Sequence, residues 1–125
     1  MKRFWQGAAR RRALRLLGIG TAIAMDKLHS REAAQLTQAA HAAQMGDWAQ
    51  ATSLLNRSRQ QWEESWTLTA AVCDHGPMER IDSLYAMLEI MAQSRAPEFP
   101  GYCAQLALLT QAIGEAHQFN LQNLL

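Results

Sequence analysis

Apolar side chains recur every three or four positions along most of this chain, and no stretch alternates apolar and polar residues as a half-buried strand would. The pattern is clearest at residues 77–94, where Ile81, Leu84, Tyr85, Leu88, Met91 and Ala92 share a face while Arg80, Asp82, Glu89 and Gln93 occupy the others. Upstream, Trp48, Ala51, Leu55, Trp62, Trp66, Thr69 and Cys73 line one side of a long helix, with residues 56–61 as its polar stretch. Downstream, Tyr102, Leu106, Leu109, Ile113, Ala116 and Asn120 keep the same spacing, with Asn120 as the polar member of the seam. Residues 32–45 are alanine-rich, which predicts a helix with high propensity, little apolar area and room for close packing.

The punctuation between these segments sets the topology. Gly46 can close a helix in the left-handed conformation and Asp47 can cap the next, so the pair predicts a helical hairpin turn. At Asp74-His75-Gly76-Pro77, glycine is expected to end one helix and proline to start the following one. Pro97 and Pro100 predict a loop over residues 95–101. Short turns join antiparallel neighbours, so the expected fold is all-α: an antiparallel up-and-down bundle of three to four helices, preceded by a basic N-terminal helix.

Composition agrees with one helical domain. At 125 residues the chain can bury a core without disulfides or a metal, and valine occurs once, at Val72. Cys73 and Cys103 lack the paired spacing of a zinc site. A helix of roughly 27 Å separates them, whereas a disulfide needs Cα atoms within about 7 Å, so two small buried apolar residues are expected.

Charge changes the picture at one end only. Lys2, Arg3, Arg10, Arg11, Arg12 and Arg15 lie in the first fifteen residues without an acidic partner, and the remainder is net acidic. This divides the chain into a basic and apolar segment at residues 1–28, membrane-associating or signal-like, and a bundle domain at residues 29–125. Residues 16–25 are apolar but give roughly 15 Å of helix against the about 30 Å of a hydrocarbon core, so spanning is disfavoured. Phe4, Trp5, Arg10, Arg11, Arg12, Arg15, Leu16 and Leu17 instead suit a helix lying on an anionic membrane surface. Insertion, if it occurred, would leave the N-terminus cytoplasmic. Export is the alternative, since Arg10-Arg11-Arg12 before a mild apolar run with Ala22-Ile23-Ala24 resembles a twin-arginine signal. An acidic body argues against nucleic acid as the partner.

The order of features from about Leu36 onward resembles the bacterial family called domain of unknown function 4363. The residues that carry the likeness are Gly46-Asp47-Trp48-x-x-Ala51, Trp62, His75-Gly-Pro-Met-Glu-Arg-Ile-Asp82, and Glu115-Ala-His117-x-x-Asn120-Leu-Gln-Asn123-Leu-Leu. The resemblance implies a small helical bundle behind one hydrophobic anchor, with no established activity. This chain departs from that pattern at the anchor, where Arg10 to Arg12 and Arg15 stand in place of a continuous hydrophobic span.

No residue pattern specifies a reaction, and no catalytic residue or cofactor motif is assigned. One polar constellation is a candidate. An antiparallel bundle brings His75 and His117 toward one end, where Glu79, Asp82 and Glu115 could join them as metal ligands or proton carriers. The competing reading is structural, with His75 beside helix carbonyls and the carboxylates near Pro77 favouring a helix N-terminus. Trp62 and Trp66, one turn apart, read as core and partial surface cover, and Met78, Met87 and Met91 as core filling. The expected function is therefore a membrane-associated, non-catalytic bundle that binds an unknown protein partner. The alternative is a small metal-dependent or hydrolytic enzyme working at the His75 and His117 end.

Overall fold

The structure, a computed structural model, describes residues 2–71 and 73–124, with side-chain placement at 6–16, 20, 24, 26–71 and 73–116. Among the described residues there are four α-helices and no strands: α1 (Lys2–Gln44), α2 (Trp48–Ala70), α3 (His75–Ser94) and α4 (Phe99–Leu124). Each helix packs on the next and α4 closes on α1, which makes the expected up-and-down bundle.

The basic segment and the alanine-rich helix are one continuous helix. No proline precedes Pro77, and Leu, Ala, Arg and Gln dominate the first 44 residues, so nothing stops α1 across its about 65 Å. Gly46 then turns the chain at φ 79°, donating to the Ala43 carbonyl while Asp47 N–H reaches Ala42, the double bond of a glycine-terminated helix. The Asp47 carboxylate accepts from Gln50 N–H and starts α2, as expected.

The other two turns differ from expectation. Gly76 and Pro77 lie inside the first turn of α3, and α2 has already ended at Ala70, because the first helical N–H groups need no intrahelical partner and tolerate proline. For the same reason Pro100 sits in the first turn of α4, which begins at Phe99 inside the expected loop. Arg95 ends α3 in the left-handed region at φ 51°, the place glycine usually takes.

The core runs along all four helices. Leu36, Leu55, Trp62, Met78, Ile81, Tyr85, Leu88, Phe99 and Leu106 are its large, fully enclosed members. Trp48 and Phe99 pack edge to face with centroids 5.4 Å apart and close the end that holds the first and third turns. The α3 seam is as expected. The α4 seam is rotated: Phe99, Cys103, Leu106, Ala107, Thr110 and Ile113 face inward, Tyr102 and Leu109 flank them, and Ala116 is exposed. Cys103 is buried as expected, whereas Cys73 is only half-buried, and neither is bridged.

Gly114 fixes the register between α1 and α4. A Cβ there would stand 3.2 Å from His29 Cβ, so the two backbones approach closely at this point. Counting ten residues onward, α4 reaches about residue 19 of α1, and about 25 Å of α1 extends past the bundle.

Candidate functional site

The sequence-predicted polar end does not come together as a ligand set among the described residues, where no group of three His, Cys, Asp or Glu side chains could hold a metal. His75, Glu79 and Glu115 are exposed. His75 stacks on Trp66, centroids 6.4 Å apart. The side chain of His117 lies outside the described residues. Asp82 is engaged elsewhere, accepting from Trp62 Nε1 at 2.6 Å and from Trp66 Nε1 at 3.2 Å. That carboxylate joins α3 to α2 by satisfying a buried indole N–H, a bond that spacing along one helix does not disclose. Arg59 adds a second link between the same helices, pairing with Glu89 across the face and with Glu63 on its own helix.

An enclosed polar cluster lies beside Trp62. His29 and Glu32, one turn apart on α1, are both fully buried, with His29 Nδ1 3.4 Å from Glu32 Oε2. The His29 ring packs 6.1 Å from Trp62. Ser58 of α2 sits 3.4 Å from the Glu32 carbonyl oxygen and shares a 2.6 Å hydrogen bond with the Tyr85 hydroxyl of α3. Among the described residues, His29 Nε2 and Glu32 Oε1 have no hydrogen-bond partner.

Burial governs the electrostatics here. It raises the Glu32 carboxyl, against the lowering effect of the His29 hydrogen bond and charge. The Tyr85 hydroxyl is pushed up by burial and by Glu32, with Ser58 partly offsetting. Burial pushes the Cys103 thiol up to about 12, and burial with the neighbouring Asp74 raises Cys73, so neither is poised as a thiolate nucleophile. His29 and Glu32 are both closed to solvent. The link from α1 to the other helices runs through the Glu32 main-chain carbonyl to Ser58 of α2, and from Ser58 to Tyr85 of α3.

Sequence reasoning passes over this cluster because it treats residues 56–61 as a polar face, whereas Ser58 is buried. A signal is present: His29, Glu32, Ala33, Leu36, Ala39 and Ala43 keep one helical stripe, so a histidine and a glutamate stand on an apolar face.

The membrane-contact candidates occupy the free part of α1. Arg10, Arg11, Arg12, Arg15 and Leu16 are exposed, and Phe4, Trp5 and Leu17 have side chains outside the described residues. Among the described residues no helix is long and apolar enough to cross a membrane.

In comparison with known proteins, residues 24–124 match the family described as Domain of unknown function (DUF4363). No curated protein and no solved structure matches. The match covers all four helices apart from the basic part of α1, and on that basis the chain belongs to the DUF4363 family.

Proposed function

We propose that the protein is a non-catalytic helical-bundle module that adsorbs to an anionic membrane surface through the free part of α1 and holds a protein partner on the bundle. The observation that carries this reading is the exposure of Arg10, Arg11, Arg12 and Arg15, with Leu14 and Leu16, on helix that extends past the bundle. Each Lys or Arg near an anionic surface contributes about 1 kcal/mol, so a tip with six basic and no acidic residues binds by charge first. Arg10 to Arg12 spread over about 200° of the helix circumference and leave about 160° that holds Ala9, Ala13 and Leu16, a face of small apolar area that favours shallow adsorption over deep insertion.

Flotation with vesicles tests the reading. Full-length protein should float with phosphatidylcholine vesicles containing about one-third phosphatidylglycerol, and lose this in about 0.5 M salt or after Arg10, Arg11, Arg12 and Arg15 are changed to Gln. Equal binding to neutral vesicles, or binding indifferent to salt, would reject it. Mass measurement of cell-derived protein is the companion test, because loss of the first residues up to Ala24 would replace adsorption with export.

A further inference from the structure

Among the described residues, His29 and Glu32 are the two side chains of the Asp, Glu, His, Lys and Arg types that the core encloses. They meet at 3.4 Å on one face of α1, and their other polar atoms, His29 Nε2 and Glu32 Oε1, have no hydrogen-bond partner there. Two such groups that hold one proton between them are neutral overall, whichever carries it. Removing that proton leaves a net negative charge in a site closed to water. The surrounding elements supply no replacement. On α1 itself, Asp26 is a second carboxylate, its Oδ1 3.7 Å from where a Gly114 Cβ would stand. From α2 come the neutral Trp62 ring and Ser58, whose hydroxyl is engaged with the Glu32 main-chain oxygen and with Tyr85 of α3. Arg59 of α2 acts on Tyr85 but is held by Glu63 and Glu89, and α4 presents Gly114 beside His29 and the Cys103 thiol toward Tyr85.

An ionised Glu32 therefore needs water, and one side of the pair yields to it more easily than the other. Toward α2 and α3 the neighbours are Trp62 and Tyr85, large and fully buried. Toward α4 the seam is built on Ala33, Ala107 and Gly114, so parting it at this level exposes little apolar area. The far end of the bundle, closed by Trp48 against Phe99, need not move. Burial also raises the Glu32 carboxyl, so the closed bundle retains the proton to a higher pH than a solvated glutamate would.

We propose that the enclosed His29 and Glu32 pair is a proton-controlled latch: with one proton between them the two groups stay dry and α1 stays closed on α4, and loss of that proton opens this part of the bundle to water. The latch lies inside the bundle and works without the basic tip, so it goes beyond the membrane reading and stands or falls apart from it. Hydrogen exchange of the full-length protein, read by mass spectrometry and corrected for the intrinsic effect of pH, tests it. Protection of amides 26–36 should fall by up to about tenfold per pH unit from about pH 4.5 to the raised folded value of Glu32, then level off. Amides 99–107, at the far end, should keep theirs, and Glu32→Gln should remove the pH dependence. Protection of 26–36 that ignores pH, an equal fall at 99–107, or the same fall in Glu32→Gln would each overturn the proposal. A second measurement needs no variant: of the seven glutamates, one carboxyl carbon should titrate above the rest by nuclear magnetic resonance, and all seven titrating together would overturn the latch as well.

Discussion

Replacing Asp82 with alanine removes one acceptor and leaves two indole N–H groups without it. Trp62 is fully buried, and its Nε1 would lose a 2.6 Å bond, a loss of about 1–3 kcal/mol for a stranded buried donor. Trp66 is 37% exposed, so its 3.2 Å bond is exchanged for one to solvent at a cost of about 0.5 kcal/mol. Together these predict a loss of about 2–3 kcal/mol, a sizeable share of the about 5–15 kcal/mol of a natural domain and worth about 8–12 °C in Tm at this size. Asp82→Asn keeps an acceptor oxygen and should cost about 1 kcal/mol. The assay is urea unfolding followed by far-ultraviolet circular dichroism, with double-mutant cycles pairing Asp82→Ala with Trp62→Phe and with Trp66→Phe. Coupling should be about 1.5 kcal/mol for Trp62 and below about 0.5 kcal/mol for Trp66. An Asp82→Ala loss under about 0.5 kcal/mol, or equal coupling to the two tryptophans, would refute the account.

Arg95→Gly relieves a left-handed residue that costs about 1–2 kcal/mol, offset in part by glycine's freedom in the unfolded chain, so Tm should rise by about 2–5 °C; a lower Tm would show that the arginine side chain contributes more than its backbone costs. Gly114→Leu should destabilise by at least about 2 kcal/mol through collision with His29, whereas Gly20→Ala, with nothing among the described residues within 4 Å, should gain up to about 1 kcal/mol of helix propensity; similar outcomes in thermal melts would deny the close approach of α1 and α4. Because burial raises the folded-state pKa of Glu32, its contribution to stability is complete below the unfolded value of about 4.5 and is lost as pH rises through the raised folded value. Glu32→Gln does not titrate, so its stability relative to the native chain should climb with pH across that window in a series of urea titrations, and a constant difference would contradict the assignment.

How far the sequence discloses this molecule depends on whether a feature is local. The Gly46-Asp47 turn and the α3 seam from Ile81 to Ala92 are written in neighbouring residues and are readable in detail. The start of α4 is misplaced from sequence because Pro97 and Pro100 read alike, although only Pro100 falls where a helix has a spare N–H position. Cross-helix chemistry is invisible there. Trp62 and Asp82 are 20 residues apart and Ser58 and Tyr85 are 27 apart, and each polar partner, judged within its own helix, looks like surface or a candidate ligand. The DUF4363 resemblance anticipates the family and the bundle, but carries no site residue that could correct this.

The absence of a break in α1 has a mechanical consequence. A flexible linker would let an adsorbed bundle tumble freely above the lipid, whereas one continuous helix carries its orientation with it. Helices of this length curve gently and turn sharply only at identifiable weak points, of which Gly20 is one. If residues 6–16 lie flat on a surface and α1 stays straight through Gly20, the stretch of α1 inside the bundle lies nearly flat as well, so the four helices recline along the membrane rather than stand upon it. Attachment at the tip then also sets which way the rest of the molecule faces.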